Sequence, residues 1–120
     1  MSENEIIQLV KMLWQATLEH KIEWKSSMLS NESGYSTSID DCLLIFTVYF
    51  DPMVDLCVAE TEFYNAEGKV FYRGHFYENE KFEVYKQIAI LNDTINDQML
   101  SITESKKKIF SRLESLLGKV

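Results

Sequence analysis

The chain predicts an α+β fold. An N-terminal helix comes first, a five-stranded antiparallel meander follows, and a long helix or a helix pair closes the order in a two-layer domain. Three observations carry this. Ser2 and Glu5 stand as a capping box ahead of an apolar stripe at helical spacing. Residues 21–77 break into short alternating or apolar runs separated by turn residues. No Gly or Pro lies between Gly74 and Gly118, where Ile88, Ile95, Ile102, Ile109 and Leu116 stand seven residues apart. A strict seven-residue repeat keeps one seam of a helix aimed at a partner surface.

The first helix takes its stripe from Ile6, Leu9, Val10, Leu13 and Thr17 and ends near His20. Lys21–Lys25 reads as the first strand, with Ile22 and Trp24 on one face. Residues 28–34 end in Asn31-Glu32-Ser33-Gly34 and read as a loop. Tyr35, Thr37 and Ile39 alternate as the second strand, and Asp40-Asp41 turns the chain. Residues 42–50 are apolar on both faces and form the third strand, which Asp51-Pro52 ends. Residues 56–64 and 69–77 are the fourth and fifth strands, joined at Asn65-Ala66-Glu67-Gly68, where Gly68 suits a positive φ. The helical segment starts near Asn79. Asn92, Asp93 and Thr94 weaken its middle, Ser101 with Glu104 reads as a second capping box, and Gly118 sits where a cap belongs. One helix and two both fit residues 79–118.

Length bounds the architecture to a single domain, 1–120, and 46% apolar residues supply a core. The chain lacks a signal-peptide layout and an apolar run long enough for a membrane, so a cytoplasmic protein with no membrane partner is expected. Cys42 and Cys57 are too few and too far apart for a usual zinc pattern and read as reduced thiols. Charge is uneven. Residues 1–100 carry 7 basic and 17 acidic side chains, a net −10, whereas residues 101–120 carry 5 basic and 2 acidic ones. The acidic bulk argues against direct nucleic-acid contact. Lys106, Lys107, Lys108, Arg112 and Lys119 are accounted for by the helix dipole and a solvated face.

Pairing Phe50 with Leu56 and Tyr64 with Lys69 sorts the strands into two faces. Leu43, Ile45, Thr47 and Tyr49 then join Ala59, Phe63, Tyr72 and Phe76 beneath the helices, where Gly74 lets a helix come close. Leu44, Phe46, Val48, Phe50, Val58 and Phe71 fall on the second face with Glu60, Glu62, Arg73 and His75, and Glu60 faces Arg73. An open sheet with apolar residues on both faces needs a cover on each. A second copy, a partner protein, and the helical segment wrapped around the sheet all qualify.

Chemistry leaves little trace. No P-loop, G-x-G-x-x-G, H-E-x-x-H, G-x-S-x-G or paired C-x-x-C occurs, so no catalytic residue, metal ligand or cofactor is assigned. Glu60, Glu62 and His75 can do acid–base work in principle, but an ion-paired strand face explains them as well. The acidic loop residues Asp40, Asp41, Asp51 and Asp55 lack calcium-loop spacing and suit turns. Trp24 beside Lys25 and Tyr35 reads as core.

Thr17-Leu18-Glu19-His20-Lys21-Ile22-Glu23-Trp24-Lys25, then Tyr35-Ser36-Thr37-Ser38-Ile39 and the Glu67-Gly68 hairpin, resembles a set of small bacterial and phage proteins. In these a first helix runs into a Thr-x-x-x-Lys-Ile-x-Trp-Lys strand, a Tyr-x-Thr-x-Ile strand and a Glu-Gly or Asp-Gly hairpin follow, and the C-terminal part is helical. The resemblance spans much of the first 75 residues. It implies a mobile-element or defence setting and no assigned activity.

The expected function is therefore a non-enzymatic protein-binding module, inhibitor, immunity or chaperone-like, and a homodimer. It acts through the apolar face of Leu44, Phe46, Val48, Phe50, Val58 and Phe71, through the helical seam, or both. The acidic rim, including Glu60 and Glu62, selects a basic partner. Two alternatives stand beside it. One is a small-molecule binder or enzyme built on Glu60, Glu62, Arg73 and His75 in a concave groove. The other is an acidic nucleic-acid mimic of phage or anti-defence type.

Overall fold

A computed structural model describes residues 1–118. The element order is α1 (Glu3–Leu18), β1 (Lys25–Leu29), β2 (Glu32–Ile39), β3 (Cys42–Asp51), β4 (Leu56–Tyr64), β5 (Val70–Tyr77), α2 (Phe82–Leu100) and α3 (Ile102–Leu116). The strands form one antiparallel sheet in the order β1-β2-β3-β4-β5. This is the α+β meander expected from sequence, with the C-terminal segment resolved into two helices.

Both packed helices use one pattern. Ile6, Val10, Leu13 and Thr17 of α1 and Val84, Ile88, Leu91 and Ile95 of α2 are buried at the same i, i+4, i+7, i+11 spacing. The α1 capping box forms: the Ser2 amide donates to the Glu5 carboxylate at 3.0 Å and the Glu5 amide to Ser2 Oγ at 3.2 Å. The two helices lie side by side and run parallel. Their N-terminal ends meet through Lys81 Nζ and Glu3 Oε1 at 2.6 Å. Their middles meet where Trp14 Nε1 donates to Thr94 Oγ1 at 3.0 Å. Near their C-terminal ends Gln98 Nε2 donates to the Thr17 carbonyl at 3.0 Å. Asn92, Asp93 and Thr94, expected to weaken α2, lie within it unbroken.

Register corrects the expected faces. Phe50 pairs with Cys57, not Leu56, so β3 slips by one residue and turns over relative to β4. Leu44, Phe46 and Val48 therefore join Ala59, Phe63 and Phe76 under the helices, while Ile45, Thr47 and Tyr49 face the other way with Val58, Glu60 and Glu62. Tyr64 pairs with Val70 rather than Lys69, and a bulge at Phe63/Tyr64 places Glu60 opposite His75 and Glu62 opposite Arg73. The space beside Gly74 holds the Phe76 ring, not a helix.

The first hairpin also departs from expectation. β1 begins at Lys25, and residues 21–24 form an irregular connector. Trp24 leaves the ladder because its Nε1 donates to Thr17 Oγ1 at 2.9 Å, which pins the indole beneath α1. The expected loop at 28–34 is a two-residue turn at Ser30-Asn31, both at positive φ, as at Asp40-Asp41. In a flat sheet β1 would lie about 14 Å from β4, yet Ser30 Oγ donates to Glu60 of β4 at 2.6 Å. The hairpin must curl over the second face. Gly34 permits it: a Cβ there would sit 2.2 Å from the Phe46 carbonyl oxygen.

Candidate functional site

Two regions carry features that the fold alone does not require: the curled second face, and α3 with a groove along α1.

On the second face, a concavity of about 230 Å³ is lined by Leu29, Ser30, Glu60, Glu62, Arg73 and His75. The four groups expected to converge do so, between the sheet and the curled hairpin rather than between sheet and helix. Buried Glu60 accepts from Ser30 at 2.6 Å and from the Tyr49 hydroxyl at 2.6 Å, and its carboxylate lies 2.7 Å from His75 Nδ1. Burial, then the Glu60 contact, holds the Tyr49 phenol well above its usual range. Glu62 accepts from Tyr64 and from Arg73 Nε at 2.9 Å. The Tyr64 hydrogen bond, helped by Arg73 and opposed by partial burial, holds the Glu62 carboxyl below the usual range. Glu62 in turn raises the Tyr64 phenol. These acids spend their acceptor capacity on donors of their own chain. The concavity also falls short of the roughly 300 Å³ at which small-molecule sites begin. The cluster ties the hairpin to the sheet. Among the described residues no three His, Cys, Asp or Glu side chains are grouped to hold a metal.

The expected partner residues divide. Leu44 and Phe46 are sealed in the core, and Val48 packs against it. Val58 is fully buried on the second face, which the curled hairpin overlies. Of the apolar set only Phe50 and Phe71 are exposed. The seam divides as well. Ile88 and Ile95 are buried, Ile102 is half-buried, and Ile109 and Leu116 are exposed.

The division falls at Ser101. Its φ of 50° and ψ of 42° break the helix, and it is the single residue between α2 and α3. The capping box expected of Ser101 and Glu104 does not form. Asp97 takes its place, accepting from the Thr103 amide at 3.1 Å and the Thr103 hydroxyl at 2.8 Å. That cap fixes the elbow and sends α3 away from the body. The radius of gyration is 17.1 Å, against about 14 Å for a compact chain of this length.

No residue of α3 is buried, and the helix touches only α2. Ile109, Phe110, Leu113, Leu116 and Leu117 project from one side, with Phe110 64% and Leu117 70% exposed. Lys106 stands on the same side, one turn before Phe110. Of the basic residues expected here, Lys119 lies outside the described residues.

Sequence reading did not find the groove. It runs between α1 and the sheet, on the side of α1 away from α2, with a volume of about 350 Å³. Leu9, Met12, Leu13 and Ala16 form one wall, and Leu44, Phe63 and Phe71 are among the residues of the other. The β5 bulge turns Phe71 to this side, where its ring centroid lies 6.0 Å from that of Phe63. The sequence signal for it is Met12, an apolar residue that widens the α1 stripe beyond Leu9.

Comparison with known proteins finds no matching family, no curated protein similar to the chain and no solved structure similar to it. No helix of the described residues is long and apolar enough to cross a membrane.

Proposed function

We propose that this chain is a non-enzymatic protein-binding module whose recognition element is α3. One observation carries the reading: a 15-residue helix presents a continuous apolar face that its own body leaves bare. Covering each of those side chains is worth about 1.5–3 kcal/mol. A lone helix of this length is marginal in water, so a partner also supplies the order it needs. Most of the apolar sheet set is covered, Leu44, Phe46 and Val48 by the helices and Val58 by burial on the second face, which leaves Phe71 beside α1 and Phe50 exposed. Inhibitor, immunity and chaperone-like roles all employ a surface of this kind. The acidic body favours a basic partner.

The test compares the wild type with Phe110→Asp/Leu113→Asp in thermal melts at low protein concentration. The melting temperature is expected to stay within about 2 °C, as for surface changes away from the core. A concentration-independent fall of several degrees would show that α3 stabilises its own body, and would overturn the reading.

A further inference from the structure

We propose that α3 docks in the α1–sheet groove of a second copy, and that the exchange is reciprocal. This rests on α3 being a recognition element and names its partner. Three observations converge on it.

The first is fit. From Ile109 to Leu117 the apolar face runs about 12 Å, and the groove wall from Leu9 to Ala16 runs about 10 Å along α1. Both surfaces are apolar. The groove has no Asp, Glu, Lys, Arg or His side chain in its lining. Helix-in-groove recognition uses anchors at i, i+3, i+4 and i+7, the spacing of Ile109, Phe110, Leu113, Leu116 and Leu117.

The second is charge. Residues 102–116 carry four cations and two anions, on a body whose first 100 residues are strongly acidic. Ile39 and Cys42 line the groove, and the exposed Asp40-Asp41 turn joins them at its rim. Lys106, on the apolar side of α3, is the cation placed to meet that rim. The basic partner that the acidic body calls for is present in the chain itself.

The third is connectivity. The C-terminal end of α2 lies beside Thr17 of α1, and Ser101 alone links α2 to α3. The groove is on the far side of α1. One residue cannot carry the chain around α1, and Asp97 holds the elbow outward. A chain therefore cannot fill its own groove, whereas two copies related by a two-fold axis can fill each other's. Reciprocity doubles the buried area, which brings two short helices toward the roughly 1,200 Å² at which specific interfaces begin.

The test is light scattering over a dilution series of the full chain, with Leu113→Asp on the helix and Met12→Asp in the exposed groove wall. The wild type is expected at twice the 14.1 kDa chain mass, and each variant alone at the mass of one chain. An equimolar mixture of the two variants keeps one intact helix against one intact groove, half of the reciprocal contact, and is expected to associate more weakly than the wild type and more strongly than either variant alone. Circular dichroism melts check that both variants fold; Asp40→Asn/Asp41→Asn, which suits the turn, is the milder second probe and is expected to weaken the dimer as salt does. A wild-type monomer at every concentration overturns the inference and leaves the partner-binding reading to the thermal melt. A dimer insensitive to Met12→Asp also overturns it and points to a helix–helix seam instead. A monomer that sediments with anionic lipid vesicles through α3 overturns both.

Discussion

α2 and α3 share one seven-residue apolar pattern and differ completely in what they do with it. The α2 half, Ile88 and Ile95, is sealed against α1 and the sheet. The α3 half, Ile109 and Leu116, is bare. A periodic stripe fixes which side of a helix seeks cover, and carries no information on whether the cover lies in the same molecule. The difference is made at one residue, where Ser101 takes a left-handed conformation and redirects the chain.

Truncation should separate the halves most sharply. Ile88→Ala is expected to cost about 2–5 kcal/mol through a core cavity. Ile109→Ala should stay within about 0.5 kcal/mol at concentrations where the chain is monomeric. Urea denaturation of both at low concentration checks this, and similar costs would mean that α3 is part of the monomer core.

The elbow should give an intermediate effect confined to one side. Asp97→Ala removes the cap on Thr103 and is expected to cost α3 about 1 kcal/mol. Amide exchange should accelerate in 102–116 and stay unchanged in α2 and the sheet. Uniform acceleration would show instead that the two helices unfold as one unit.

Acid should act on the body through Glu62. Because the folded Glu62 carboxyl lies below its usual value, its contribution is complete above the unfolded value of about 4.3. It is lost as pH falls from there through the folded value. Glu62→Gln should flatten that part of the stability profile, by a small amount because its partner Arg73 is largely exposed. An unchanged profile would show that the Tyr64 and Arg73 contacts do not persist in solution.

How much of this was legible in the sequence depends on whether the cause was local. The α1 capping box, the Asp40-Asp41 turn and the Asn65–Gly68 hairpin rest on neighbours in the chain, and each formed where expected. The Ser30-Asn31 turn was hidden by the turn-forming run Asn31-Glu32-Ser33-Gly34, which read as loop although Glu32, Ser33 and Gly34 belong to β2. The β3 register hung on one residue of loop length, and its slip turned Leu44 and Phe46 from an expected interface into core. Phe71 came to the groove through a bulge that no alternation rule contains. Glu60, Glu62, Arg73 and His75 were rightly expected to gather. Their enclosure depends on the curl at Gly34, which requires knowing how near β3 passes.

The parallel pairing of α1 with α2 sets a timetable for a chain made from its N-terminus. Trp14 and Thr94 touch across 80 positions of sequence. At typical synthesis rates that interval lasts roughly 4–16 s. Through all of it the buried stripe of α1 has no helix to lie against, while the five strands pair one after another beside it. The meander can zip up as it emerges, but its helical layer closes only once α2 has followed it.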